Sequence, residues 1–284
     1  MASIEAVDIV RLGASDAARA LPLSVEAGWN QTVDDWRFLL EHGTTFGVAK
    51  HDRLVATALA SPLGSALNWI SMVLVTRDWR GHGLGTRLLK RCIEQASPSA
   101  AGLDATELGR PIYLPLGFRD LYRISRYRLE RSPAPAAPPA GIELRPIQPA
   151  DMQAIAAWDS ERSGMQRAPI LNHLQARMPH LAWAAWRGDQ LVGYCLGRDG
   201  RLATQIGPVV ADDATVAIAL TACAMTSASA PFFVDAVDGQ SEYCRWLEHN
   251  GAVAPRFFIR MVLGDAPGLD KAASIYAIGG PELG

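Results

Sequence analysis

The residues best suited to chemistry lie between Trp69 and Leu89, which read WISMVLVTRDWRGHGLGTRLL. Trp69 to Val75 form an apolar run of strand type, and Arg80-Gly81-His82-Gly83-Leu84-Gly85 is a glycine-rich turn. Leu84, Leu88, Leu89, Cys92, Ile93 and Ala96 then recur at helical spacing. A strand, a glycine turn and a helix N-terminus in that order make an anion site. Backbone N–H groups face the ligand, the helix dipole adds positive potential, and glycine lets the chain approach phosphate oxygens. Arg80 at the mouth adds a charge-assisted hydrogen bond, worth about twice a neutral one. The lysine and hydroxyl residue of a triphosphate loop are missing, and Thr86 and Leu88 stand where a dinucleotide fingerprint needs its third glycine. An NTPase and a nicotinamide enzyme are both disfavoured.

Arg80-x-x-Gly83-x-Gly85 resembles the R/Q-x-x-G-x-G/A signature of the GNAT acetyltransferase superfamily. The approach, Val73 to Trp79, is similar to the family's, with Arg77 replacing the common proline and Trp79 the tyrosine. Downstream, Tyr113-Leu-Pro-Leu-Gly117-Phe118 resembles its Y-x-x-x-G-F segment. The resemblance covers essentially the whole first half. It implies acetyl-CoA as acyl donor, without a metal, in a V-shaped gap between two splayed strands. The backbone of Val73, Leu74 and Val75 would pair with the pantetheine arm as an added strand does. Arg80 and the amides of Gly81, His82, Gly83, Leu84, Gly85 and Thr86 would hold the pyrophosphate. Tyr113 takes the catalytic place: direct transfer to an amine must return a proton to the departing thiolate, and the matching family tyrosine stands near that sulfur. The competing reading of Tyr113 is a buried aromatic whose hydroxyl finds a local partner.

Gly28-Trp29-Asn30-Gln31-Thr32-Val33-Asp34-Asp35-Trp36 resembles a narrower GNAT subgroup, in the region that forms the acceptor side of the cleft. Trp29, Asn30 and Gln31 pair an aromatic wall with amide donors and acceptors. Thr32 and Asp35 also fit a capping box that starts a helix. No long acidic run accompanies them, so a small-molecule amine fits better than a polycationic acceptor. The strand before the loop lacks the glutamate that many relatives carry as base. Asp104 and Glu107 are candidates with structural alternatives, and a water path would serve equally well.

The elements that must position these groups read as strand 5–12, helices 15–28 and 32–42, strands 45–50, 54–60 and 67–76, and helix 83–96. Strand 100–105, helix 109–116 and strands over 117–130 follow. This mixture is α+β (mixed α/β) rather than doubly wound. Ser132 to Ala140, SPAPAAPPA, holds four prolines in nine residues and reads as a semi-rigid spacer. The expected domains are 1–131, a linker at 132–141, and 142–284. The halves echo each other: Arg11 with Arg145, Lys50-His-Asp-Arg-Leu-Val55 with Arg187-Gly-Asp-Gln-Leu-Val192, Leu103-Asp104 with Val234-Asp235, and Gly117 with Gly251. Each half is expected to be a mostly antiparallel twisted sheet flanked by helices, with a splayed central strand pair. The second half lacks the phosphate motif. Asp212 and Asp213 stand where the turn should lie, and Leu247 stands where Tyr113 does, so it reads as a degenerate GNAT-like domain. Trp183, Trp186 and Trp246 are read as core.

Over the 284 residues, 27 Lys and Arg balance 29 Asp and Glu, leaving no basic excess for nucleic acid. The four cysteines and six histidines show no metal-binding or disulfide spacing. Ala214 to Val237, the most apolar stretch, is broken by Thr, Ser, Pro and Asp235 and is not a membrane span. A cytoplasmic N-acetyltransferase, monomeric or homodimeric, is the expectation. The alternatives are a non-catalytic acyl-CoA-binding regulatory module and transfer of a longer acyl group.

Overall fold

Local sequence signals set most elements. In the computed structural model, which describes residues 7–269 and 272–284, residues 5 and 6 of the expected first strand lie outside the described residues. The chain falls into two compact units, residues 1–103 and 104–284. The first contains β1 (Ile9–Leu12), α1 (Ala17–Glu26), α2 (Val33–His42), β2 (Thr44–Lys50), β3 (Arg53–Pro62), β4 (Leu67–Val75) and α3 (Leu84–Ala96). It ends within β5 (Ala100–Ala105). Its sheet runs β1-β2-β3-β4-β5, antiparallel except for the parallel β4–β5 pair. His51 and Asp52 both take positive φ, 46° and 62°, the geometry that a two-residue hairpin turn with the sheet's own twist demands. Leu84, Leu88, Leu89, Cys92 and Ala96 of α3 are buried, as the helical spacing predicts. Asp35 N–H donates to Thr32 Oγ1 (3.3 Å) and Thr32 N–H to Asp35 Oδ2 (2.7 Å), so the capping box opens α2.

The second unit contains α4 (Arg110–Tyr113), β6 (Arg119–Leu129), β7 (Glu143–Pro146), α5 (Met152–Ser163), α6 (Ala168–Arg177), β8 (Trp183–Arg187) and β9 (Gln190–Arg198). It continues with β10 (Thr204–Ala211), α7 (Ala214–Thr226), β11 (Phe232–Val237), α8 (Ser241–His249), β12 (Val253–Leu263) and β13 (Ile275–Ile278). Its strands lie in the order β12-β6-β11-β13-β10-β9-β8-β7. The apolar stretch from Ala214 to Val237 becomes α7 and β11, and both pack into the core of this unit. The two halves also match in detail where each first strand leads into its first helix: Asp16 Oδ2 accepts from Gly13 N–H (3.0 Å), and Asp151 Oδ2 from Gln148 N–H (2.9 Å).

Residues 132–141 carry neither helix nor strand, yet the compact division falls at Leu103/Asp104. The cause is β6, which precedes the proline-rich stretch but is hydrogen-bonded along both edges to β11 and β12, which follow it. Two buried ion pairs accompany this arrangement. Arg126 of β6 makes a bidentate pair with Asp235 of β11 (2.7 and 2.7 Å), and Arg260 of β12 makes one with Asp104 (2.9 and 2.8 Å). A buried pair adds little net stability, but removing one partner strands a charge at about 3–5 kcal/mol, so such pairs penalise wrong pairings.

Candidate active site

The parallel ladder between β4 and β5 is short. It joins Leu67, Asn68 and Trp69 to Ala100, Ala101 and Gly102 and then ends, although β4 continues to Val75. The divergence has a local cause. Met72 has φ 52°, and the β3–β4 register shifts between Thr57/Leu74 and Leu59/Ser71. Such a bulge re-aims a strand. Thr57 Oγ1 fixes it by donating to Met72 O (2.9 Å), and all of this lies in the buried interior. Past Trp69 the edge of β4 that faced β5 has no ladder with β5.

At the end of β4 the chain makes one 3-10 turn at Arg77–Trp79 and enters the glycine loop. Gly81 and Gly83 take φ 78° and 75°, and a Cβ on either would meet nothing within 4 Å, so these glycines are required by backbone conformation and face open space. Gly85 is different: a Cβ there would touch Val75 Cγ2 at 3.5 Å, ordinary contact that leaves room for alanine. The first intrahelical bond of α3 at this end is Arg87 N–H to Gly83 O (3.0 Å). The amides of Leu84, Gly85 and Thr86 come before it, the donors that a helix start leaves for an anion. His82 is exposed and Thr86 half-buried. Arg80 is exposed; its Nε donates to Val75 O (3.0 Å), which holds its stem beside the loop.

Sequence reasoning missed Glu26. This last residue of α1 accepts from Thr76 Oγ1 and from Arg77 N–H, both at 2.7 Å, and lies 4.0 Å from the Arg80 guanidinium. The Thr76 hydroxyl, with the Arg77 amide and the nearby Arg77 and Arg80 charges, holds its carboxyl below the ordinary value against a smaller effect of burial. An ionised Glu26 thus ties α1 to the start of the glycine loop. A glutamate just before Ala27-Gly28 has no sequence signature for this role.

Gly28, with φ 69°, terminates α1, and Trp29 N–H returns to Ser24 O (2.9 Å), so the chain turns sharply into Trp29-Asn30-Gln31. Trp29 is half-buried, whereas Asn30 and Gln31 are buried. Gln31 Oε1 is buried with no hydrogen-bond partner among the described residues. Ser71 Oγ and Thr45 Oγ1 are in the same condition. Both face the sheet side opposite α3: Thr45, Leu59 and Ser71 are successive register partners, while neighbouring Phe46 lies under Arg91 of α3. Buried polar atoms without partners mark places where water or a ligand completes the structure.

Tyr113 closes α4 in the second unit, half-buried and 6.0 Å from the Phe118 ring. A Cβ on Gly109 would stand 3.0 Å from its ring, so that glycine gives the aromatic its seat. Its hydroxyl makes no hydrogen bond to any described residue, and burial pushes its pKa up to about 12. The local partner that the competing reading gives this hydroxyl is not found among the described residues, and the phenol stays protonated at neutral pH. Asp104 is pinned in its ion pair with Arg260, and Glu107 is exposed, so neither is arranged as a base.

A model of the GNAT acetyltransferase family matches residues 15–108, and an acetyltransferase (GNAT) domain model matches residues 155–277. The chain belongs to the GNAT acetyltransferase family. It carries one GNAT domain on each side of the proline-rich stretch. It is 24% identical over 230 residues to the uncharacterized N-acetyltransferase YitH of Bacillus subtilis strain 168, covering 80% of this chain and 81% of that one. A candidate acetyltransferase from Pyrococcus horikoshii has a similar structure, with TM-score 0.78 and 19% identity over 100% of this chain and 98% of that one. A tandem GNAT protein from the clavulanic acid biosynthesis pathway matches at TM-score 0.63 and 15% identity, covering 90% and 98%. At these identities the structural likeness speaks for the fold.

The second GNAT domain keeps the strand pair but not the loop. β10 and β11 are parallel over Thr204/Phe232, Gln205/Phe233 and Ile206/Val234. Asp213 caps α7 by accepting from Val216 N–H (2.9 Å) and Thr215 Oγ1 (2.6 Å), so a carboxylate already occupies the N-terminus of that helix. Leu247 is fully buried in the core, and Trp183 and Trp246 pack against the same core. Among the described residues, no cluster of three or more His, Cys, Asp or Glu could hold a metal, and no helix is long and apolar enough to cross a membrane.

Proposed function

We propose that the protein is an N-acetyltransferase that moves an acetyl group from acetyl-CoA to a primary amine of a small molecule by direct transfer in a ternary complex. The observation that carries this reading is the ending of the β4–β5 ladder after three residue pairs, immediately before a glycine loop and a helix start. These groups fit an acyl-CoA. The backbone of Val73, Leu74 and Val75 takes the pantetheine arm, and Arg80 with the amides of Gly81, His82, Gly83, Leu84, Gly85 and Thr86 takes the pyrophosphate. When bound, acetyl-CoA supplies an acyl group activated as a thioester. Backbone donors on β4 polarise its carbonyl, the attacking amine nitrogen gives up its proton to a water path, and the same path returns a proton to Tyr113 after it protonates the thiolate. Tyr113 holds a proton at its hydroxyl for the departing sulfur, a role supported by that hydroxyl's having no partner among the described residues.

Trp29, Asn30 and Gln31 form the acceptor wall, supported by the unpartnered oxygens of Gln31, Ser71 and Thr45, which suit an N–H donor such as an amine. The protein acts in the cytoplasm as a monomer or homodimer. One observation favours a second reading, a non-catalytic acyl-CoA-binding regulatory module: neither Asp104 nor Glu107 is arranged as a base. Calorimetric titration of acetyl-CoA into the intact protein, followed by turnover assays over a panel of small amines, separates the two. One site per chain with turnover supports the enzyme, and one site without turnover on any amine supports the module. No binding overturns both.

A further inference from the structure

The second GNAT domain reproduces the strand divergence of the first and fills it with its own chain. Beyond Ile206 and Val234, where the parallel ladder stops, β13 enters between the two strands. Ala277 partners Val209 of β10 on one side and Ala236 of β11 on the other. We infer that Ile275–Gly284 is a built-in peptide ligand of the second domain, bound in the gap that corresponds to the proposed acyl-CoA gap of the first, and that it closes this domain to acyl-CoA. The inference rests on the cofactor reading proposed above.

Three features of the chain argue for a site shaped around this segment. First, Gly207 takes φ 142°, and a Cβ on it would lie 2.1 Å from Ile278 O, so the strand passes where no other residue leaves space. Second, the segment is held by side chains outside the ladder. Gln240 Nε2 donates to the carbonyls of Ala272 (2.8 Å), Ala273 (2.9 Å) and Ile275 (3.2 Å), so one amide steers the chain into the gap. Arg198 pairs with Glu282 at 2.5 Å, both side chains buried, and Arg167, itself in a bidentate pair with Asp159, donates to Gly284 O at 2.5 Å. Third, the anion end of the site is closed separately, by the Asp213 carboxylate on the first amides of α7. A carboxylate there satisfies the helix start and repels a pyrophosphate. Strand and carboxylate together take the places of both halves of an acyl-CoA. The ligand class follows from the contacts: an extended peptide with apolar residues at 275, 276 and 278, a small residue at 277, and an acid at 282 that meets Arg198.

A protease site inserted after Pro267, between β12 and β13, lets the segment be severed in the otherwise full-length protein. The fragment is expected to stay bound through native size exclusion, and to be displaced by a labelled synthetic peptide of residues 272–284 but not by a scrambled one. Glu282→Gln is expected to speed its release about a hundredfold, because it removes one charge of a buried pair. Loss of the fragment on the first passage, with the rest of the protein folded, overturns the inference. A second equivalent of acetyl-CoA bound to the uncut protein also overturns it, since the gap would then take the cofactor with the segment in place. Should the severed protein unfold, hydrogen exchange on the uncut chain decides: protection of Ala277 and Ile278 equal to that of β9 supports a seated ligand, and exchange at coil rates overturns it. Fragment retention is read by mass, so a failure of the cofactor reading, seen as no acetyl-CoA bound to the uncut protein, is distinguishable from a failure of the peptide site.

Discussion

The gaps of the two GNAT domains begin identically and end differently. In each, a parallel ladder of three pairs, Leu67–Trp69 with Ala100–Gly102 or Thr204–Ile206 with Phe232–Val234, gives way to a displaced register on the inner strand. In the first domain the shift comes from Met72 at positive φ, and the strand edge leads into glycines that face open space. In the second it comes at Gly207, and the edge is covered by β13. A diverging strand pair leaves backbone donors and acceptors that must be satisfied. The same architecture therefore has two stable outcomes: keep the gap for an exchangeable ligand, or fill it with chain. A family match over residues 155–277 cannot tell these apart, because the occupant decides the matter and not the fold.

The comparison breaks most visibly at Tyr113. Tyr113→Phe should lower kcat by about 10²- to 10⁴-fold, the span of general acid catalysis, with acetyl-CoA affinity nearly unchanged. Leu247→Met at the corresponding place in the second domain should leave turnover intact. Equal turnover in Tyr113→Phe would remove the assigned acid. The glycine loop comes next. Gly83→Val forces a β-branched residue to φ 75°, a strain of about 1–3 kcal/mol, and should weaken acetyl-CoA binding by roughly tenfold to a hundredfold in a calorimetric titration.

Asp213→Ala makes the contrast from the other side. It should cost about 1 kcal/mol of stability as a lost helix cap, visible in thermal unfolding, and leave acetyl-CoA affinity as it was. The smallest effect is a pH dependence. Glu26 is held below its ordinary value of 4.5, so the contact it makes is fully present above that pH and fades as the pH falls through the lower, folded-state value. Acetyl-CoA affinity should drop over that acidic range in the native protein, and Glu26→Gln should flatten the drop. An unchanged profile in Glu26→Gln would assign the pH effect elsewhere.

What the sequence revealed was local. The apolar face of α3 and the Thr32–Asp35 box are each determined within a few residues, and the structure places them as read. The duplicated landmarks were legible for the same reason. The placing of β6 and the insertion of β13 were not, because pairing partners lie far apart: Arg126 meets Asp235 across 109 positions and Arg260 meets Asp104 across 156. A signal was present, since Arg126 and Arg260 repeat at nearly the interval that separates Asp104 from Asp235. Their identity as mates emerges only once β6 and β12 are seen beside the other half's strands. Glu26 escaped for a related reason, being a lone carboxylate whose partners, Thr76 and Arg77, are 50 and 51 residues distant.

The position of β6 has a consequence for how the polypeptide could be divided. Residues 132–141 join two halves in covalent order, but β6 lies before them and is gripped on both edges by strands that come after. A nick in this stretch would therefore not set the pieces free, since the leading fragment would remain zipped into the sheet of the trailing one. Expressed separately, each fragment would expose unpaired strand edges, and the two would be stable only in each other's company. The proline-rich stretch thus acts as a tether that guarantees equal supply of two interdependent pieces. The ladders along β6, rather than that tether, keep the molecule whole.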